Sequence, residues 1–287
     1  MIDKTQIETF VAQRPRLIRL AYRYLGSVTD AEDVVQDAWL RFTEAKDVRS
    51  PPAFLSTIVT RLCLDRLKSA AYNREEYWGP WLPEPLVDPF SPGEEAALDI
   101  SFAVMRSLET LTPEERAAFF LHDLFDMPFV DIAKALDKTP QACRKLAQRA
   151  RERVQAGRRR FLPDAARLQT FLDAFQTAME TSDHSHLRAL LAKDAECISD
   201  GGGKVLAARN IVRGADHVTQ LLVGLGRKVA GSNQAVDLRP AVINGGPGML
   251  LMLDGRLDMS FSFDLDETGA IATFYMVRNP EKLTHLQ

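Results

Sequence analysis

The sequence predicts two all-helical modules followed by an α+β domain, and three observations predict it. Helix start signals and apolar residues at helical spacing recur through the first 160 residues. Five prolines (Pro80, Pro83, Pro85, Pro89 and Pro92) then stand in the gap between the two helical modules. Beyond Val236, period-two alternation and Gly-rich turns take over. The chain has 287 residues, 46% hydrophobic and 26% charged, so it is globular, large enough for more than one core, and neither disordered nor fibrous.

The first helix places Leu17, Leu20, Ala21, Tyr24 and Leu25 on one face, with Gly26 as its stop. Thr29-Asp30-Ala31-Glu32 has the capping-box pattern and predicts the second helix start, with Val34, Val35, Ala38, Trp39 and Phe42 as the buried stripe. Ser50-Pro51 opens a third helix that turns Phe54, Leu55, Ile58, Val59, Leu62 and Leu67 inward and leaves Arg61, Arg66 and Lys68 outside. Residues 77–92 read as an extended linker, and helix resumes near Glu94.

Thr112-Pro113-Glu114-Glu115 combines a capping box with proline at the first helical position. Ile132, Ala133 and Leu136 mark a short helix, Asp137-Lys138 a turn, and Thr139-Pro140 the cap of another helix with Cys143, Leu146, Ala147, Ala150 and Val154 on one face. Its opposite face carries Gln141, Arg144, Lys145, Gln148 and Arg149. This is a helix-turn-helix pattern, in which Arg and Lys suit guanine edges and Gln suits adenine. Residues 138–160 hold nine basic residues against Glu152 alone, a local charge of +8 inside a chain of net charge −3. Such a run is the electrostatic footprint of a nucleic-acid surface.

Past Pro163, helices are expected at 168–180, 186–192 and 215–225, followed by strands at 236–242, 249–253, 257–265 and 271–277. Helices followed by a meander predict a curved antiparallel sheet wrapped around helices. Cys63, Cys143 and Cys197 lie far apart with no C-x-x-C spacing, so neither a disulfide framework nor a metal site is expected. Asp3 and Glu8 stand where a signal peptide would be basic, and no apolar run approaches the ~20 residues of a membrane span. The expectation is a cytoplasmic chain without membrane association.

With these residues in view, the chain resembles the extracytoplasmic-function RNA polymerase sigma factors, specifically the SigJ-type subgroup with a SnoaL-like C-terminal extension. Residues 31–39 (AEDVVQDAW) resemble the region-two helix that docks on the β′ coiled coil of core polymerase. Residues 54–68, ending LCLDRLK, resemble the helix that opens and reads the minus-ten element. The stretch from Leu111-Thr112-Pro113-Glu114-Glu115-Arg116 to Ala150-Arg151-Glu152-Arg153 resembles region four, which reads the minus-thirty-five element and meets the β flap. Three strings point to the subgroup: GPWLPEPL at 79–86, DGGGK at 200–204 and NPEKL at 279–283.

The resemblance implies four segments: region two at 1–75, a proline-rich linker at 76–98, region four at 99–162, and a SnoaL-like regulatory domain at 163–287. It implies that Asp30, Glu32, Asp33, Gln36 and Asp37 bind core polymerase, that Arg61, Arg66 and Lys68 face minus-ten DNA, and that Gln141, Arg144, Lys145, Gln148 and Arg149 read the minus-thirty-five element. Leu146 stands where family members often place a basic residue. Trp81, Pro83, Glu84, Asp200, Gly201, Gly202, Gly203, Lys204, Asn279, Pro280, Glu281, Lys282 and Leu283 form the implied regulatory contact, with DGGGK approaching the polymerase-binding region. No dedicated anti-sigma partner is implied.

DGGGK fails the phosphate-loop pattern, because Ile198 replaces the leading glycine and Val205 the Ser/Thr. His184, His186, Asp194, Asp216 and His217 are the acids or bases a SnoaL-type isomerase or hydrolase could use, but none has diagnostic spacing. No catalytic residue, metal or cofactor is assigned. An unidentified small ligand in the C-terminal domain and a polymerase-independent helix-turn-helix regulator remain as alternatives.

Overall fold

The computed structural model describes residues 4–45, 48, 50–74, 77–87, 101–123, 126–157 and 161–286. The helix expected near Glu94 and the basic residues Arg158, Arg159 and Arg160 lie outside the described residues. The chain forms two compact units, residues 1–76 with 105–157 and residues 77–104 with 158–287.

In the first unit, α1 (Lys4–Leu25), α2 (Val28–Glu44) and α3 (Pro51–Arg74) pack through Leu17, Leu20, Ala21, Ala31, Val34, Val35, Ala38, Phe42, Leu55 and Val59. Gly26, at φ +67°, ends α1 and donates to Tyr22 O. Ser27, not Thr29, caps α2: its hydroxyl accepts from Asp30 N and the helix begins at Val28. Serine caps as well as threonine does, and it stands directly after the left-handed glycine.

The helix α4 (Phe102–Glu109) leads to α5 (Pro113–Asp123), whose capping box forms as expected: Glu115 N donates to Thr112 Oγ1 at 3.2 Å, and Thr112 N to Glu115 Oε2 at 3.0 Å. This helix packs on α3 and on Tyr24 of α1. Phe120 meets Tyr24 edge-on at 4.8 Å between centroids, and the buried Arg116 guanidinium donates to Tyr24 O and Leu108 O. Burial pushes the Tyr24 hydroxyl and the Cys63 thiol far above their ordinary values. The pair α6 (Phe129–Leu136) and α7 (Pro140–Gly157) is the expected helix-turn-helix, with Asp137 left-handed at φ +53° and Thr139 Oγ1 accepting from Ala142 N.

The second unit contains α8 (Ala165–Thr181), α9 (Ser185–Ala189), β1 (Leu191–Asp200), β2 (Val212–Arg213), α10 (Ala215–Ala230), β3 (Val236–Ile243), β4 (Gly246–Leu253), β5 (Arg256–Leu265), β6 (Ile271–Val277) and α11 (Pro280–Leu283). The sheet order is β2-β1-β6-β5-β4-β3. It is mixed and not purely antiparallel, because β1 pairs parallel with β6, with Ile198 opposite Tyr275 and Asp200 opposite Val277. The sequence conceals β1: Lys193 and Asp194 are exposed at a register shift and interrupt the alternation. The β3–β4 turn is the expected one, with Asn244 and Gly245 both at positive φ, the two-residue hairpin geometry that matches strand twist.

The two sheet faces are covered differently. One meets α8 and α10, where Phe171 lies 5.2, 5.4 and 6.0 Å from the rings of Phe274, Phe263 and Phe261. The other presents Ile198, Leu257, Tyr275 and Val277 to Leu82 of the linker, Phe102 and Leu283, with Phe102 stacked on Tyr275 at 5.0 Å. Phe171→Ala would leave a cavity among three rings and should lower stability by about 3–5 kcal/mol, read by urea unfolding of the full chain.

Candidate nucleic-acid interface and linker clamp

On α2, the buried stripe forces the residues between onto the opposite side. Glu32, Asp33, Gln36 and Asp37 are exposed and Asp30 is half-buried, so the five expected polymerase contacts share one acidic face. On α3, Arg61 is exposed, while Lys68 lies on the helix with its side chain outside the described residues. Arg66 is engaged: Nη1 donates to Asp30 O at 2.9 Å and Asp30 Oδ1 at 3.0 Å, and Nη2 to Asp33 Oδ2 at 3.3 Å.

Gln141, Arg144, Lys145, Gln148 and Arg149 are all exposed on α7. The Arg144 guanidinium sits over the Phe129 ring of α6 at 5.5 Å, and Gln148 reaches Glu152 at 3.2 Å. Leu146 is half-buried and packs against the helix-turn-helix core. Further along, the cations of the basic run are engaged in ion pairs. Arg151 makes a bidentate pair with Asp123 at 2.6 Å, which raises its pKa, and Arg153 binds Glu115 and Thr110 O. Arg144, Lys145 and Arg149 are the exposed cations of α7 for which no ion pair is seen among the described residues.

In the second unit, the linker is gripped by the end of β1 and the C-terminal segment. The Asp200 carboxylate is fully buried and takes four donors. Oδ1 accepts from Tyr77 Oη at 2.5 Å and Gly202 N at 3.0 Å, and Oδ2 accepts from Leu82 N at 2.8 Å and Lys282 Nζ at 2.7 Å. Its backbone oxygen accepts from Arg278 N and Asn279 N. Lys282 also donates to Leu82 O and lies 4.2 Å from the Trp81 ring centroid and 5.0 Å from that of Tyr77. Burial, the hydrogen bond to Asp200 and its charge together raise the Tyr77 pKa.

The grip continues along the chain. Pro83, Glu84 and Pro85 are buried, and His285 Nε2 lies 3.0 Å from Pro85 O. Leu86 N donates to Asn244 Oδ1, Asn244 N donates back to Leu86 O, and Val87 bridges Ile243 of β3. The glycines of DGGGK are there for close approach. A Cβ on Gly203 would stand 3.0 Å from Trp78 Cβ, and one on Gly202, at φ +60°, would strike the Asn279 amide. Lys204 pairs with Glu281. The contacts described for this loop run to the linker and the tail, where Pro280 begins α11 and Leu283 joins the core.

Family models for sigma-70 region 2 and sigma-70 region 4 match residues 10–72 and 101–154. The chain is 38% identical to the ECF RNA polymerase sigma factor SigJ of Mycobacterium tuberculosis over 97% of its own length and 93% of that protein. The chain belongs to the extracytoplasmic-function RNA polymerase sigma factors. A probable sigma factor of this class from the same organism, SigI, is 30% identical over 96% of the chain and 94% of its own length. The crystal structure of M. tuberculosis SigJ superposes with a TM-score of 0.74 at 33% identity, covering 97% of this chain and 98% of that one. As a sigma factor, this chain binds core polymerase and promoter DNA and directs transcription initiation.

Of the five acid–base candidates of the C-terminal domain, His186, Asp194, Asp216 and His217 are exposed and His184 is half-buried. Asp216 pairs with Arg188 on the surface, which lowers its pKa, and His217 Nδ1 lies 3.0 Å from Arg213 O. Among the described residues, no cluster of His, Cys, Asp or Glu could hold a metal, and no helix is long and apolar enough to cross a membrane. Sequence reasoning assigned no role to Tyr77, Trp78, Leu82, Asn244 and His285: the first four act in extended or turn conformations where no periodicity marks them, and His285 lies in a single 3-10 turn, Thr284–Leu286. Asp200→Asn would remove the charge of the carboxylate that Lys282 Nζ bonds at 2.7 Å in a buried site, a loss of about 3–5 kcal/mol in the grip. Chymotryptic cleavage at Tyr77, Trp78 or Trp81 should become faster in the variant, read on folded full-length protein.

Proposed function

We propose that this cytoplasmic sigma factor is controlled in cis by capture of its own interdomain linker. The observation that carries the reading is the Asp200 carboxylate, which bonds linker and C-terminal segment together through Leu82, Tyr77, Gly202 and Lys282. The division into region two, linker, region four and a non-catalytic regulatory domain, with boundaries near 75, 98 and 162, belongs to this proposal. So does the absence of a dedicated anti-sigma factor, because the clamp does in cis what such a partner would do in trans.

Chain geometry supports the reading. Minus-ten and minus-thirty-five elements are about 25 base pairs apart, about 85 Å at 3.4 Å per step. Tyr24 and Phe120 are in contact, so the two readers must separate to reach both elements. An extended linker gives at most ~3.3–3.6 Å per residue, and residues 77–87, held by the C-terminal domain, cannot contribute their full reach. Release or re-seating of that segment thus sets how far the readers spread.

In this scheme Asp30, Glu32, Asp33, Gln36 and Asp37 dock on core polymerase, Arg61 and Lys68 face minus-ten DNA, and Gln141, Arg144, Lys145, Gln148 and Arg149 read the minus-thirty-five element. The Phe129 ring beneath Arg144 favours one orientation of its guanidinium before DNA arrives. Arg144→Ala should reduce promoter-dependent run-off transcription about tenfold or more, the ~1–3 kcal/mol of one bidentate base contact. Gly202→Asp and Asp200→Asn should change run-off output from the same promoter while circular dichroism stays folded. Unchanged output from both, with the linker made protease-sensitive, would end the clamp account.

A further inference from the structure

Arg66 leaves the surface expected for DNA and turns to α2. Its guanidinium spans three acceptors on the first turns of that helix, namely Asp30 O, Asp30 Oδ1 and Asp33 Oδ2, across 36 and 33 residues of sequence. Both ion pairs are solvent-exposed, with about half of each Asp side chain accessible, so they add little to stability. What they do fix is geometry. A planar fork bonded to a backbone oxygen and to two carboxylates restrains both rotamers, which free Asp side chains on an exposed helix face would not be.

The chemistry of the face makes that restraint useful. Asp30, Glu32, Asp33 and Asp37 crowd four carboxylates onto the exposed side of α2. Arg14 approaches Glu32 at 3.5 Å from α1, so cations from two neighbouring helices hold the face. Each Asp held by Arg66 is bonded through one carboxylate oxygen to this guanidinium. A cationic partner therefore meets carboxylates already oriented, and pays less ordering entropy on docking.

We infer that Arg66 is a positioning residue for core-polymerase docking, acting through Asp30 and Asp33, and not a direct reader of minus-ten DNA. The inference rests on the reading of α2 as the polymerase face. It assigns the α3 cations two different tasks, with Arg61 turned to DNA and Arg66 to the helix that polymerase grips. A lysine at 66 would carry the charge but could not bridge three acceptors, so the fork geometry is what the position requires.

The test measures affinity of the full-length chain for purified core polymerase by fluorescence anisotropy, and open-complex formation with holoenzyme assembled at saturating chain concentration. Arg66→Ala should weaken core binding about tenfold, about 1.4 kcal/mol, and Arg66→Lys less; open complex should be limited only where core is unsaturated. In an Asp30→Ala/Asp33→Ala background, Arg66→Ala should add little, since the side chains it orients are gone. A contribution of Arg66 to core binding that does not pass through Asp30 and Asp33 would give additive losses there, and would overturn the inference. Defective open complex at saturation with unchanged core affinity would overturn the inference and return Arg66 to DNA. Asp37→Ala separates the two levels: it touches neither Arg66 nor its partners' bonds, so unchanged core affinity in this variant would defeat the polymerase-face reading itself. Weakened binding by Asp37→Ala with none by Arg66→Ala would defeat only the positioning role.

Discussion

A buried carboxylate with no free lone pair is the constraint around which the second unit is arranged. Asp200 ends β1, and burying its charge is tolerable only because the protein delivers four donors to it, one of them a lysine ammonium. Those donors come from Tyr77 and Leu82 of the linker, Gly202 of the adjoining loop and Lys282 of the tail, more than 200 residues apart at the extremes. Each segment that departs leaves the carboxylate or the ammonium short of a partner. The three subgroup strings GPWLPEPL, DGGGK and NPEKL are thus parts of one hydrogen-bonded centre, and the glycines are small because Trp78 and Asn279 stand where their side chains would be.

The basic run of region four shows how charge is divided between fold and function. Nine cations in 23 residues look uniform, yet Arg151 and Arg153 are spent on Asp123 and Glu115, whose partners hold α5 against α7. The first half of α7 keeps its cations and amides outward, and Leu146 is drawn into the core beside Cys143 and Ala147. Region two makes the same division on α3, where Arg61 stays outward and Arg66 is committed to α2. Charge counts find the surface, and only packing tells which cations are available to DNA.

Local signals carried much of the architecture. Gly26, Thr112 to Glu115, Thr139-Pro140 and Asn244-Gly245 each fix a start, stop or turn through interactions within four residues, so they could be read without the fold. The α2 start is ambiguous in the sequence because Ser27 and Thr29 offer equivalent hydroxyls two residues apart, and the left-handed Gly26 decides between them. β1 was hidden because its partner β6 lies about 75 residues on, and a parallel pairing leaves no hairpin signature between them.

The sequence by itself determined the helical modules, the polar and basic face of α7, the acidic face of α2 and the family, because caps, periodicity and short motifs are local chemistry. The tertiary structure alone decided that the sheet is mixed, that Arg66 serves α2, and that the linker is strapped to the C-terminal domain through Asp200, Lys282 and Asn244. These are contacts between residues 33 to 202 positions apart. Their energy comes from burial and from satisfying polar groups that no window of neighbouring residues contains.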